Sequence, residues 1–157
     1  MESRRVCVRG IINHNGKLFA QKLKNSDGKA ANYWCTPGGG VDLGESLHDA
    51  LHREMIEETG VAPQIGRLLL VQQFASDGTS NHGESEQLEF FFEITNPQDY
   101  MSIDLDSTSH GLIEIAEYDF IDPATNNLLP SILQQPNTLA AFATPHTDVL
   151  FHDELTQ

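Results

Sequence analysis

The chain has 157 residues, and its 23 acidic against 9 basic side chains give a formal charge of −14 at pH 7. That balance argues against non-specific binding to duplex nucleic acid, which rests on clustered lysine and arginine, and no run approaches the roughly 20 apolar residues needed to span a membrane. Two cysteines, Cys7 and Cys35, form no disulfide framework or thiolate metal site, and 39% hydrophobic content at this length fits one domain over residues 1–157.

The N-terminal MESRRVCV has no apolar signal segment, so a cytoplasmic location is the expectation. Residues Val6 to Ile12 are rich in strand formers, Asn15-Gly16 is a hairpin turn signal, and a second strand follows over Leu18 to Leu23. Lys24 to Asn32 is polar and reads as a loop. Lys22, Lys24 and Lys29 there are either contacts for distal phosphates or lysines that keep a hairpin soluble. Tyr33 and Trp34 could stack on a base, or pack. Pro37 and Gly38-Gly39-Gly40 predict a turn-rich segment whose backbone amides can approach phosphate without side-chain obstruction.

A helix is predicted from a Ser46 cap to a Gly60 stop. At about 100° per residue, Leu47, Ala50, Leu51 and Met55 form its apolar sector, and Glu54 and Glu58 project into that sector with Glu57 at its edge. Carboxylates crowded on a packing face repel and raise one another's pKa, unless a cation neutralises them. Hard oxygen ligands suit Mg2+, with Mn2+ as the alternative. The plainer alternative is a solvated acidic helix surface.

Beyond the helix, Ile65 to Phe74 contains a buried-strand run at Leu68 to Val71, and Ser76 to Ser85 reads as a long loop. Gln87 to Thr95 alternates with period two, Leu88, Phe90, Phe92 and Ile94 on one face and Glu89, Phe91 and Glu93 on the other. The second face is expected to look outward; facing the helix instead, Glu89 or Glu93 would bind metal through water or orient a nucleophile. Leu128 to Leu133 reads as a short helix with Pro130 in its first turn and Pro136 as its stop. Val149 to Phe151 reads as an edge strand, and His146 and His152 lie at spacings that make no metal motif. The architecture expected is a mostly antiparallel or mixed curved sheet between the 46–59 helix and the C-terminal helix.

Gly39, Glu45, Arg53-Glu54, the aliphatic Met55, Glu57-Glu58, Gly60 and the aliphatic Val61 match the signature of the Nudix hydrolases at every defined position, within 23 of the 157 residues. Trp34-Cys35-Thr36-Pro37 and the order of strands are also similar to that family. The resemblance implies an α/β/α sandwich, in the α/β class, that cleaves a nucleoside diphosphate linked to another group. By the same resemblance, Glu54, Glu57 and Glu58 would hold divalent cations and Arg53 would orient them. Gly39 and Glu45 would shape the loop before the helix. The general base in such proteins often lies on a later segment; Glu114 is the first candidate, with His110 and Glu117 as alternatives.

With Gly38, Gly39, Gly40, Lys22 and Trp34 as substrate contacts, the partner is a small nucleotide. A homodimer is compatible with that activity. A nucleoside triphosphate or modified nucleotide is the expected substrate. The ADP-ribose-cleaving type often carries a proline about sixteen residues past the signature, and Phe74-Ala75-Ser76 contains none. The alternative is a nucleotide-sensing module with the same fold and no significant turnover.

Overall fold

The computed structural model describes residues 3–77, 84–145 and 148–155. In chain order the elements are β1 (Arg4–Ile11), β2 (Asn13–His14), β3 (Lys17–Leu23), β4 (Trp34–Cys35), β5 (Gly38–Gly40), α1 (Leu47–Thr59), β6 (Ile65–Asp77) and β7 (Glu84–Ile94). Then come α2 (Gly111–Glu114), β8 (Ile115–Ile121), β9 (Leu128–Leu129), α3 (Pro136–Ala143) and β10 (Leu150–Asp153), with short 3-10 turns between some of them. The tip of the loop expected over Ser76 to Ser85 and the position of His146 lie outside the described residues. Among the described residues no helix is long and apolar enough to cross a membrane.

The α/β class with mixed strands holds, and the strands divide between two sheets rather than one. The first has the order β10-β6-β7-β1-β5, with β1 parallel to β7 and β7 antiparallel to β6. The second runs β2-β3-β4-β9, and β8 also pairs with β3. Asn15-Gly16 makes the β2–β3 turn as expected, with both residues at positive φ.

Strand alternation divides the interior into two cores. Val8, Phe19, Phe92 and Ile94 face α1, where Ala50, Leu51 and Met55 are wholly buried. Each of Leu51 and Met55 contributes about 1.5–3 kcal/mol by leaving water. On the other side Ile11, Leu18, Trp34 and Phe91 pack with Leu133 and with Phe142 of α3. Both faces of β7 are therefore covered near its centre. This corrects the outward reading for Glu89, which is 5% exposed, while Glu93 is half-exposed and lies 3.8 Å from Arg67.

The limits of α1 follow its sequence signals. Ser46 accepts a hydrogen bond from the Asp49 amide at 3.0 Å, and Gly60 takes a left-handed conformation with its N–H on the Ile56 carbonyl. Two other local expectations need correction. Leu128-Leu129 is a strand parallel to β4, so the expected helix is reduced to a 3-10 turn over Ser131–Gln134, and Pro136, which follows that turn, also starts a helix. At the first helical position proline loses no hydrogen bond and its fixed φ already suits the helix.

Gly38–Gly40 is likewise a strand, not a free turn. Gly38, Gly39 and Gly40 pair antiparallel with Arg9, Val8 and Cys7. The glycines are required by closeness more than by turning: Gly38 has φ 141°, and a Cβ there would stand 2.0 Å from the Val8 carbonyl oxygen. Gly38→Ala is expected to destabilise the fold by at least ~2 kcal/mol. A urea melt of the variant matching that of the parent would contradict this packing.

Candidate active site

Arg53 is the hub of the acidic face of α1. Its Nε and Nη2 donate to the two oxygens of Glu45 at 2.8 and 2.9 Å, and Nη2 also donates to the Gly40 carbonyl at 3.0 Å. Its Nη1 reaches Glu54 at 2.9 Å and Glu57 at 3.3 Å. The guanidinium fork thereby ties the loop before the helix, strand β5 and two helix carboxylates into one array. Hydrogen bonds from Arg53, helped by the Asp42 amide, hold the Glu45 carboxyl down at about 2.

Glu58 points inward. It is 3% exposed, and its Oε2 accepts from Gln21 Nε2 and from the Gly38 amide, both at 3.1 Å. Burial pushes its carboxyl up to about 8 against those donors and the charge of Arg9, and Glu54 adds to the rise. Burial is also the main cause that raises Glu54, with Glu57 and Glu114 adding to it. The expected rise is present, then, with desolvation ahead of mutual repulsion as its source.

Of the Gly-segment amides expected to approach phosphate, that of Gly38 is engaged within the fold. The Gly38 amide serves Glu58 and the Gly40 carbonyl serves Arg53, while Gly39 leaves room for Glu54, whose carboxylate would be 2.5 Å from a Cβ built there. Trp34 lies in the second core at 9% exposure, as its packing alternative describes, with the Lys22 ammonium 4.8 Å above its ring. Lys22 also lies 3.6 Å from Glu117. Lys24 lines a cavity and its ammonium donates to the Leu112 carbonyl, and Lys29 is exposed on its loop.

Of the later candidates, the structure brings two to α1. The His110 amide donates to the Glu57 carbonyl at 3.0 Å, with its ring Nδ1 3.9 Å from the Glu57 carboxylate. Glu114 is exposed on α2, near enough for its charge to act on Glu54. Gln21 and Arg9 were not singled out from the sequence. Each is a polar residue inside an apolar strand run, LFAQKL and VCVRGII, and that interruption is the signal that could have found them.

The donor chemistry of the helix fits a hard divalent cation. Three carboxylates share one helix, and among the described residues neither Glu54 Oε2 nor Glu58 Oε1 receives a hydrogen bond. Among the described residues no three His, Cys, Asp or Glu side chains form a ready-made metal cage. Arg53 accounts for this by drawing Glu54 and Glu57 onto itself. Magnesium does not need such a cage, since it commonly binds through one or two carboxylates, several waters and substrate phosphates.

Behind β5 lies an open cavity of about 660 Å3 between the sheets. Arg5 and Arg9 line it, and Arg5 Nη2 is 3.2 Å from the place a Cβ on Gly40 would take. The cavity and the acidic array thus meet across the strand that Arg53 holds. A pocket of this size suits a ligand of nucleotide scale.

Comparison with known proteins supports the same reading. Residues 1–138 match the family model described as NUDIX domain. An ADP-ribose pyrophosphatase of Methanocaldococcus jannaschii is 34% identical over 89 residues, 57% of this chain and 50% of that protein. An RNA pyrophosphohydrolase of Novosphingobium aromaticivorans is 43% identical over 56 residues, 35% of this chain and 33% of that protein. The chain thus spans half the length of the first relative and a third of the second. In fold, the solution structure of the E. coli ORF135 protein superposes with a TM-score of 0.65 at 20% identity, covering 92% of this chain and 96% of that one. A MutT protein from Methanosarcina mazei superposes with a TM-score of 0.61 at 19% identity over 90% and 94% of the two chains.

Proposed function

The chain belongs to the NUDIX domain family, and on that premise we propose that it is a magnesium-dependent pyrophosphohydrolase of nucleoside diphosphate derivatives. The observation that carries the reading is the Arg53-centred array of Glu45, Glu54 and Glu57, with buried Glu58 beside it, abutting a nucleotide-sized cavity that Arg5 and Arg9 help to line. The names of the two relatives above, both pyrophosphate-cleaving activities, support the reaction class. Residues 1–157 are proposed as one domain, supported by neighbours that cover nine-tenths of the chain.

Glu54, Glu57 and Glu58 are the proposed cation ligands. A divalent cation bound there would offset the charge of the diphosphate and lower the pKa of water. Arg53 fixes the orientation of Glu54 and Glu57, and Gln21 with the Gly38 amide fixes Glu58. Water attacks a phosphorus of the diphosphate, the bond from that phosphorus to the bridging oxygen breaks, and that oxygen leaves with the departing group, so that a nucleoside triphosphate gives a nucleoside monophosphate and pyrophosphate. Glu114 is the proposed acceptor of the water proton, because the carboxylates committed to cations are poor bases. A nucleoside triphosphate or a modified nucleotide is the proposed substrate.

The test is product analysis at millimolar magnesium with nucleoside triphosphates, oxidised nucleotides, dinucleoside polyphosphates, ADP-ribose and nucleotide sugars. Release of a nucleoside monophosphate, lost in EDTA and restored by Mg2+ or Mn2+, is the expected result. Nucleotide binding without product from any of them would replace the hydrolase with a sensing module.

A further inference from the structure

The floor of the cavity carries polar groups that the fold itself does not use. Gln72 is 3% exposed, and among the described residues its Oε1 has no hydrogen-bond partner; nor, among them, has Oγ1 of Thr36, which is 1% exposed. Both line the cavity. Gln72 sits opposite Glu89 in the β6–β7 ladder, and Glu89, also nearly buried, has among the described residues a single long side-chain contact, with Arg9 at 3.4 Å. Burying an amide oxygen without a partner is unfavourable, and an aliphatic residue would serve the strand better.

A ligand that supplies the missing donor accounts for these residues. Gln72 Oε1 and the Glu89 carboxylate are acceptors side by side, so the matching group is an amino group, whose two N–H donors serve both where a single ring N–H serves one. Tyr33 and Phe74 also line the cavity and offer aromatic faces of the kind on which bases stack. Arg5 makes no ion pair among the described residues and stands next to Gly40, between this floor and the acidic array. A nucleotide with its base on the floor would therefore direct its phosphates past Arg5 toward α1.

Resting on the hydrolase reading for its orientation, we propose that the cavity holds the nucleobase, and that Gln72 with Glu89 selects a base bearing an exocyclic amino group. Among the common bases adenine, guanine and cytosine carry one, and hypoxanthine does not. The purine arms of the test distinguish a six-amino from a two-amino group. Gln72 acts on specificity and takes no part in the bond-breaking step.

Calorimetric titration with AMP, GMP and IMP in magnesium tests this directly. At least one of AMP and GMP is expected to bind about tenfold or more tighter than IMP. Gln72→Leu should abolish most of that difference while leaving Tm unchanged or higher, because it removes a buried amide oxygen that has no partner among the described residues. IMP binding as tightly as both amino nucleotides would overturn the proposal, and that comparison needs no variant; so would an undiminished preference in folded Gln72→Leu. Selective binding with no hydrolysis of any triphosphate would retain the base site and overturn the hydrolase. Equal kcat/KM on ATP, GTP and ITP would do the reverse.

Discussion

Glu58→Gln is expected to lower kcat by about a thousandfold while leaving the fold intact. The substitution is nearly isosteric, and the retained carbonyl oxygen can still accept from Gln21 and the Gly38 amide, the two donors at 3.1 Å. What it removes is the ability of the least exposed helix carboxyl, which burial pushes up to about 8, to become the anion that would hold a cation. Taking an ionisable group out of the interior does not destabilise a protein whose hydrogen bonds survive. Thermal unfolding in EDTA should therefore give a Tm equal to or above that of the parent, while product release at saturating magnesium nearly ceases. The two readouts separate a chemical role from a structural one. A folded variant with a near-parental rate would remove Glu58 from the reacting centre, and a variant that unfolds would assign it to packing.

The parts of this site that were legible in the sequence are those set by spacing along one element. Glu54, Glu57 and Glu58 share a helix, and the limits of that helix are written in Ser46 and Gly60, so their grouping needed no tertiary information. What α1 carboxylates meet was another matter. Whether Glu89 faces core or water depends on β7 being covered on both sides, and alternation along one strand cannot reveal a second covering layer. The three glycines read as freedom because glycine is permissive, yet the structure uses their lack of a side chain to bring β5 against β1 and under Glu54. Pro136 was ambiguous for a local reason: proline ends a preceding helical turn and begins a following helix equally well, and here it does both, after the 3-10 turn at Ser131–Gln134 and at the start of α3. The cavity lining combines residues from six strands, β1, β3, β4, β6, β7 and β9, and from intervening loops, and no stretch of sequence contains it.

Arg53→Ala is expected to reduce kcat/KM by about a hundredfold and stability by about 2 kcal/mol. Arg53 is the shared donor to Glu45, Glu54, Glu57 and the Gly40 carbonyl, with contacts from 2.8 to 3.3 Å. Without it the carboxylates keep their mutual repulsion and lose the cation that orders them, and β5 loses its tie to the helix. The decisive comparison is Arg53→Lys. Lysine preserves the charge, but its ammonium is a single point with three donors, and it cannot span both oxygens of Glu45 while reaching Glu54 and Gly40 on the other side. If orientation by the planar fork is the function, Arg53→Lys should recover stability more than activity, with kcat/KM remaining within about tenfold of the alanine variant. If Arg53 supplies charge alone, lysine should restore both. Steady-state rates measured well below each variant's Tm, beside urea melts of the same preparations, distinguish the two cases.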